Sequence, residues 1–362
     1  MVKTKGNAKK FGMHPRNILR QPPDYTKLAI KYKDFRKECE LELNGKVSVN
    51  FRNEKTLREL TKMLLKEYFD LNVDFAPGSL VPTLALRLNY ILWLEDLMEP
   101  LKLQEIRGID IGCGSSCIYS LLGAKKNGWH MLALESKPQN IEYARENVKK
   151  NHLEELIEVY AQPDKTSIFR SYFEKQQEEL QYHFCLCNPP FFDSNLANPF
   201  GGNTRNPERR PAPNNARTGS QEELTCVGGE VRFVQRIIDE SLENKLRMRI
   251  FTTMLGVKAN VPRILDYLKE RQVANVATTE FHQGHTTRWA VAWSFHSEPL
   301  NQETSSDHTL RQKKANRIRK ATEMEANTHT KHKSPTSVNG GISTPLIQGI
   351  RTIRSSAMWD SK

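Results

Sequence analysis

The chain has 362 residues, enough for one large α/β domain with appendages or for two modest domains. Lys and Arg number 54 against 42 Asp and Glu, and the net charge of +12 favours polyanionic partners, with nucleic acid first among them. The sequence has no apolar run of roughly 20 residues and no signal-peptide core, so we expect an intracellular protein with no membrane partner. Its six cysteines fit a reducing compartment better than a disulfide scaffold.

The cysteine pattern argues against a structural metal. Cys185 and Cys187 have C-x-C spacing within an apolar run that we interpret as a buried strand. No His or Cys set at zinc-finger spacing accompanies them in the sequence, so we expect no metal cofactor.

The chain begins with a basic segment. Residues 1–23 carry six Lys or Arg residues and no acid, which predicts a flexible arm that contacts nucleic acid, a solvated terminus being the alternative. Residues 24–99 are predicted to form a helical module, because apolar residues recur at helical spacing from Leu57 to Phe69 and from Leu86 to Met98.

From Arg107 onward, short β-rich runs alternate with amphipathic stretches, which is typical of a parallel sheet covered by helices on both faces. We predict a Rossmann-like α/β domain over residues 100–296. Its seven strands are expected near residues 108–111, 130–135, 157–161, 182–187, 249–253, 276–281 and 288–295, and its clearest helices at Gln139–Lys150, Val231–Asn244 and Val261–Arg271.

The last part of the chain has a different composition. Residues 297–362 are rich in Ser, Thr, Asn and Lys without a sustained period, which predicts a disordered basic tail. Within it, Arg311–Lys320 has six basic residues in ten and reads as a nuclear-import or RNA-tethering patch, or as a merely solvated charge run. We therefore expect the nucleus as the main compartment, with the cytoplasm as a second one.

A glycine loop follows the first predicted strand of the sheet. Gly112 and Gly114 allow a sharp turn and a close approach to a nucleotide-like cofactor, although such turns also need glycine for purely structural reasons. A dinucleotide fingerprint would have glycine where Cys117 stands, which disfavours NAD. With Asp110, the loop resembles motif I of Rossmann-like class I methyltransferases, which wraps S-adenosylmethionine. Glu135, at the end of the next strand, is placed to accept the ribose hydroxyls.

The most specific motif is Asn188-Pro189-Pro190-Phe191, at the end of the fourth predicted strand. The lone pair of an amine on an aromatic ring is delocalised, so a site that methylates it should accept its N–H hydrogens. The Asn188 side-chain oxygen and the Pro189 carbonyl can do so, Pro190 helps to rigidify the loop, and Phe191 offers a stacking face for a flipped base. The alternative is an Asn-Pro turn that only ends a strand.

Six strings together carry a family resemblance: GIDIGCGSSCIY, CNPPFF, RNPERRPAP, FHQGHTTRWAVAWSF, QPPDYTKLAIKY and LVPTLALRLNYI. Over about Pro15 to Phe295 the chain resembles the methyltransferase-like 16 family, the U6 small nuclear RNA adenosine N6-methyltransferases. The resemblance implies S-adenosylmethionine as cofactor and structured RNA as partner: U6 snRNA first, with hairpins in mRNA as further candidates.

The resemblance also implies residue roles. Cofactor contacts fall on Arg87, Gly112, Ser116, Glu135, Thr166 and Asn188, with Gly114 in the loop and Asp110 supporting it. Lys165 matches a lysine in a regulatory loop that can occlude the cofactor site. RNA contacts fall on Arg205, Arg209, Arg210 and Arg288, the first three within the polar segment 192–224, which we expect to close over the flipped adenine.

Two departures and two rivals accompany the resemblance. Cys113 and Ser115 stand where vertebrate members usually have Thr and Ala, and the chain ends in its polar tail where those members continue into a folded RNA-binding region. We therefore expect modification of U6 RNA, and we regard regulation of S-adenosylmethionine synthetase transcripts as doubtful for this chain. The rivals are a protein glutamine methyltransferase, which uses the same NPP chemistry, and a non-catalytic RNA-binding scaffold for splicing factors. The oligomeric state stays open.

Overall fold

The computed structural model of the chain describes residues 12–164, 166–176, 181–194, 218–284 and 286–300, without the side chain of Glu222. The helices are α1 (Tyr25–Lys31), α2 (Lys33–Lys37), α3 (Glu54–Phe69), α4 (Leu84–Met98), α5 (Ile118–Asn127), α6 (Pro138–Lys150), α7 (Arg170–Phe173), α8 (Gln221–Leu224), α9 (Gly229–Glu243) and α10 (Asn260–Glu270). The strands are β1 (Glu40–Leu41), β2 (Val47–Ser48), β3 (Arg107–Ile111), β4 (His130–Glu135), β5 (Ile157–Ala161), β6 (Tyr182–Cys187), β7 (Phe192–Asp193), β8 (Thr225–Cys226), β9 (Met248–Leu255), β10 (Asn275–Gln283) and β11 (Thr286–Ser294).

The central sheet has the strand order β10-β11-β9-β6-β3-β4-β5. Its first five strands along the chain, β3, β4, β5, β6 and β9, run parallel, and β11 and β10 complete it as an antiparallel hairpin. The prediction of a seven-stranded, mostly parallel sheet is confirmed, and each predicted strand lies within two residues of the observed bounds. Helix α3 begins three residues earlier than predicted, because the Asn53 side chain accepts the Thr56 amide hydrogen and caps it.

Alternating side chains on the strands pack into two separate cores, one on each face of the sheet. Along β3, Ile109 and Ile111 enter the core that lies under α9 and α10. Along β4, Met131 and Ala133 enter the opposite core, which also contains most apolar residues of α3, α4 and α5. The N-terminal helices therefore share a core with the sheet, and α4 is buried along nearly all of its length.

This topology determines where a ligand can bind. Strand β3 has β4 on one side and β6 on the other, so the chain order reverses beside β3. Open α/β sheets bind ligands at such a switch point, beyond the carboxyl ends of the strands. The predicted motifs lie there: the glycine loop follows β3, Glu135 ends β4 and Asn188 follows β6. Among the described residues, no helix is long and apolar enough to cross a membrane.

Candidate functional site

A cavity of about 570 Å³ opens at the carboxyl ends of β3, β4 and β6. Its volume is in the usual range for a small-molecule site. The predicted residues that line it are Arg87, Gly112, Gly114, Ser116, Glu135, Asn188, Pro189 and Pro190. The topology therefore gathers two motifs that lie more than 70 residues apart in the chain into one concave site.

The glycine loop presents bare backbone to this cavity. Gly112 and Gly114 have φ angles of 71° and 65°, a region that side chains rarely adopt, and a Cβ built on either would meet no atom within 4 Å. The turn itself is held by the Leu134 carbonyl, which accepts from Gly112 N at 2.9 Å and from Cys113 N at 3.0 Å. The loop thus leaves open space that a cofactor can fill, as the motif predicts.

Glu135 is buried at the end of β4 and is surrounded by donors from the chain itself. Its Oε1 accepts from the amides of Ser136 at 2.7 Å and Lys137 at 2.9 Å. Its Oε2 accepts from Gly114 N at 2.9 Å and, at the longer distance of 3.4 Å, from Asn140 Nδ2. These bonds fix the carboxylate at the edge of the glycine loop, where a ribose would lie.

Arg87 brings a buried positive charge to the same cavity. Its Nη1 donates to the Tyr119 hydroxyl at 2.7 Å, and its guanidinium lies 5.2 Å from the centre of that ring. Its Nε is buried with no hydrogen-bond partner among the described residues. A buried cation with an unsatisfied donor fits an anionic group, such as the carboxylate of the methionine part of S-adenosylmethionine.

Asn188 lies directly after β6, with its Oδ1 buried and without a hydrogen-bond partner among the described residues. The strand end is anchored beneath it, because the Tyr90 hydroxyl accepts from Cys187 N at 3.4 Å and contacts Thr252 Oγ1 at 2.7 Å. Burial raises the pKa of Tyr90 well above its ordinary value, so its hydroxyl stays protonated. The end of β6 is therefore anchored, while the side-chain oxygen of Asn188 is available to accept a hydrogen bond from a ligand.

Phe191 lies outside the cavity lining and packs against Gly256. A Cβ on Gly256 would lie only 2.7 Å from the Cδ1 atom of this ring, so glycine is needed for the contact. The Arg288 guanidinium lies 5.1 Å from the ring centre, in cation–π range. Below them, Glu230 accepts from the amides of Gly256 at 2.6 Å and Val257 at 3.1 Å.

Two further predicted residues do not line the cavity. Asp110 is buried on β3 and accepts from Ser120 Oγ at 3.0 Å, and burial raises the pKa of this carboxyl from 3.8 to about 7. It supports the start of α5 rather than facing a ligand. Thr166 is exposed and donates to Asp164 at 2.6 Å, while the neighbouring Ile168 lines the cavity.

Several predicted sites lie outside the described residues. They are Lys165, the arginines Arg205, Arg209 and Arg210, most of the segment 192–224, residues 1–11 of the basic arm, and the tail after residue 300. Within the described part of the chain, no group of three or more His, Cys, Asp or Glu residues is placed to hold a metal ion.

Sequence reasoning missed several residues of the site. Asn140, Glu223 and Phe233 line the cavity, and Glu230 and Gly256 support Phe191. Two signals were available. Ser220 and Glu223 have the S-x-x-E spacing of a capping box, and Asn140 is a polar residue on the apolar stripe of α6.

Comparison with known proteins identifies the family of the chain. A family model described as RNA methyltransferase matches residues 7–297, which is most of the chain. The chain belongs to this family. It is 88% identical, over 305 residues, to the Drosophila melanogaster protein named U6 small nuclear RNA (adenine-(43)-N(6))-methyltransferase, and the match covers 84% of this chain and 100% of that protein. The family recognised from the sequence motifs is thereby confirmed.

Solved structures of a human RNA methyltransferase show the same fold. The human METTL16 catalytic domain in complex with MAT2A 3′UTR hairpin 1 matches with a TM-score of 0.73 and 45% identity, covering 81% of this chain and 98% of that one. The N-terminal domain of human METTL16 in complex with SAH matches with a TM-score of 0.66 and 41% identity, covering 79% and 99%. The Rossmann-like methyltransferase fold predicted for this chain is confirmed by these likenesses.

Proposed function

We propose that this chain transfers a methyl group from S-adenosylmethionine to the N6 amine of an adenosine in U6 small nuclear RNA. The observation that carries the proposal is the buried, unpartnered Oδ1 of Asn188, held at the cavity beside the glycine loop. An orphaned acceptor in that place fits the N–H of an amine that enters to be methylated. The Drosophila relative, whose name gives this reaction, is matched over its whole length.

The residues around the cavity fit the cofactor. Arg87 would hold the carboxylate of its methionine part, the loop at Gly112 and Gly114 would lie against that part, and Glu135 would accept from the ribose. When bound, S-adenosylmethionine supplies a methyl group on a positively charged sulfur, which makes it electrophilic. Ser116 lines the same cavity, as do Ser167 and Ile168, which follow Thr166 in the chain.

The remaining chemistry belongs to the Asn188–Phe191 loop. Asn188 Oδ1 and the Pro189 carbonyl would accept the two N–H hydrogens of the amine, which turns its lone pair toward the methyl group. Pro190 adds no N–H donor and limits loop motion, so both acceptors are aligned before the base arrives. Phe191 would support the flipped adenine by stacking. An amine on an aromatic ring loses its proton readily once methylated, so this loop needs no strong base.

Charge supports RNA as the substrate. The net charge of +12 favours a phosphate backbone, and the guanidinium of the half-buried Arg288 lies 5.1 Å from the centre of the Phe191 ring. Burial lowers the pKa of Arg288, which is the direction expected for a cation held without full solvation. Arg205, Arg209 and Arg210 are the further predicted phosphate contacts.

The test is transfer of labelled methyl from S-adenosylmethionine to U6 RNA. We expect label on N6-methyladenosine after digestion, and none on a U6 RNA in which the target adenosine is replaced by guanosine. Label on glutamine of a co-incubated protein, with none on RNA, would favour the protein methyltransferase instead. Tight RNA binding without transfer would favour the scaffold and contradict the proposal.

A further inference from the structure

A buried asparagine joins two carboxylates at the edge of the cavity. Asn140, on α6, is 2% exposed. Its Nδ2 donates to Glu135 Oε2 at 3.4 Å and to Glu223 Oε1 at 3.2 Å, so both of its amide hydrogens are used. Its Oδ1 is buried without a hydrogen-bond partner among the described residues. All three side chains line the cavity.

Glu223 anchors the segment 218–224. Its Oε2 accepts from Leu80 N at 2.9 Å and from Ser220 N at 3.2 Å, the second bond closing the capping box of α8. Next to it, Thr218 Oγ1 accepts from Val81 N at 3.2 Å. The segment is thereby bound to residues 80–81 on one side and, through Asn140, to the carboxylate of Glu135 on the other.

The acceptor capacity of Glu135 decides how the bridge responds to a ligand. A carboxylate has about four lone-pair sites, and four donors of the chain already occupy those of Glu135. A ribose hydroxyl must therefore displace the weakest of them, which is the 3.4 Å contact from Asn140. The released Asn140 amide can then bind Glu223 alone, while its orphaned Oδ1 can accept from a second hydroxyl.

We propose that Asn140 and Glu223 form a bridge through which cofactor binding at Glu135 stabilises the segment 218–224 and so favours RNA binding. Both residues are positioning residues, since they act through Glu135 and through the segment. The inference rests on the proposed function, because RNA is its second ligand and residues 192–224 are predicted to contact it. The sign is positive, because cofactor binding at Glu135 frees the Asn140 amide for Glu223, which anchors the segment 218–224.

Linkage makes the proposal measurable by binding alone. If the cofactor tightens RNA binding by some factor, RNA must tighten cofactor binding by the same factor. We expect the wild-type protein to bind a U6 hairpin at least about fivefold more tightly in saturating S-adenosylhomocysteine than without it, the lower end of typical coupling. S-adenosylhomocysteine is the probe because it carries no methyl group to transfer.

The experiment measures the Kd of the fluorescent U6 hairpin, with and without saturating S-adenosylhomocysteine, in the wild type and three variants. Glu223→Gln keeps an oxygen for the Leu80 and Ser220 amides but turns an amide donor toward Asn140, and Asn140→Ala removes the bridge outright. Glu142→Gln is the matched control, because it makes the same charge change on an exposed position of α6.

We expect the coupling factor to fall to about one in both bridge variants and to stay at the wild-type value in Glu142→Gln. A coupling factor that survives Glu223→Gln in protein with a wild-type thermal transition overturns the inference, as does a wild-type protein without coupling. If Asn140→Ala fails to fold, Glu223→Gln alone decides. Methyl transfer to U6 RNA by the wild type is measured separately, so failure of the proposed function is distinguished from failure of the bridge.

Discussion

The site has a cofactor half, formed by the glycine loop and Glu135, and a base half, formed by Asn188 to Phe191, where the adenine base would bind. The two halves satisfy their polar groups in opposite ways. In the cofactor half, Glu135 receives four hydrogen bonds from the chain itself. In the base half, the Oδ1 of Asn188 receives none from the described residues, although this atom is buried. Both groups lie at the carboxyl edge of one sheet, Glu135 at the end of β4 and Asn188 after β6, so the difference comes from the segments around them.

The contrast shows what each half is built to do. The backbone amides of Gly114, Ser136 and Lys137 hold the Glu135 carboxylate in one position, so this carboxylate is placed before any ligand arrives. An unsatisfied buried acceptor costs about 1–3 kcal/mol, and a substrate amine that donates to it recovers that free energy on entering. The base half is therefore selective for a group with N–H hydrogens at the position of the methyl transfer.

The largest expected effect concerns Asp110, which lies under the cofactor half. Burial raises its pKa from 3.8 to about 7, so the folded protein keeps a proton that the unfolded chain has already lost. Protonation of Asp110 therefore contributes to the free energy of unfolding fully below about pH 4, and this contribution is lost as the pH rises to about 7. Asp110→Asn cannot ionise and should become more stable than the wild type by up to about 4 kcal/mol between these pH values.

Denaturant unfolding of the ligand-free protein at pH 4.5 to 8 measures this difference. The Asn variant keeps an oxygen that can accept from Ser120, so it preserves the packing of α5. Parallel stability curves for the two proteins across that range would show that Asp110 is ionised in the folded state, which contradicts a raised pKa for this carboxyl.

The next effect tests whether the cofactor half is fixed by Glu135. In Glu135→Gln, an amide N–H₂ replaces one oxygen and faces either Gly114 N or the amides of Ser136 and Lys137, all of which are donors. We expect the Kd for S-adenosylhomocysteine to rise about 100-fold, equivalent to about 2.7 kcal/mol for one lost acceptor and its unpaired donors. Calorimetric titration measures it.

The control for Glu135→Gln is its affinity for RNA, which depends on the base half. RNA affinity of Glu135→Gln measured without cofactor should stay within a factor of about two of the wild type, because the predicted RNA contacts at Arg205, Arg209, Arg210 and Arg288 do not include Glu135. A variant that loses both affinities together would instead show that the two halves fold as one unit.

The smallest expected effect concerns the base half. In Gly256→Ala, the new Cβ would lie 2.7 Å from the Phe191 ring, which has to move away from its place beside Arg288. We expect kcat/KM for U6 RNA to fall about tenfold, equivalent to about 1.4 kcal/mol, with an unchanged Kd for S-adenosylhomocysteine. Val257→Ala, at the exposed neighbouring position, should match the wild type in both measurements. Full activity in Gly256→Ala would exclude a role for the placement of Phe191.

Local patterns in the sequence predict one half better than the other. The glycine loop and Glu135 depend on turn chemistry and strand order within about 25 residues, so spacing alone places them together. The supports of the base half come from distant parts of the chain. Gly256 meets Phe191 only because β9 lies beside β6, and nothing in the spacing of either residue indicates that contact.

The same reason explains the bridge that sequence reading overlooked. The S-x-x-E pattern at Ser220 predicts a helix start, which the structure has, but not that Glu223 also reaches Leu80, 143 positions away. Seven strands and the main helices follow from hydrophobic period, because that signal is local. Hydrogen bonds of such sequence separation follow from tertiary packing and need the folded chain.

The most direct test of the account is single-turnover methylation of U6 RNA by Asn188→Ala, together with its Kd for S-adenosylhomocysteine. Removal of one aligned polar contact to a transition state lowers a rate on the order of 10²- to 10³-fold, and we expect a loss of that size in the methylation rate. We expect the Kd for S-adenosylhomocysteine to change less than about threefold, because Arg87, the glycine loop and Glu135 remain. A methylation rate close to that of the wild type would contradict the assignment of Asn188 as the acceptor for the adenine amine.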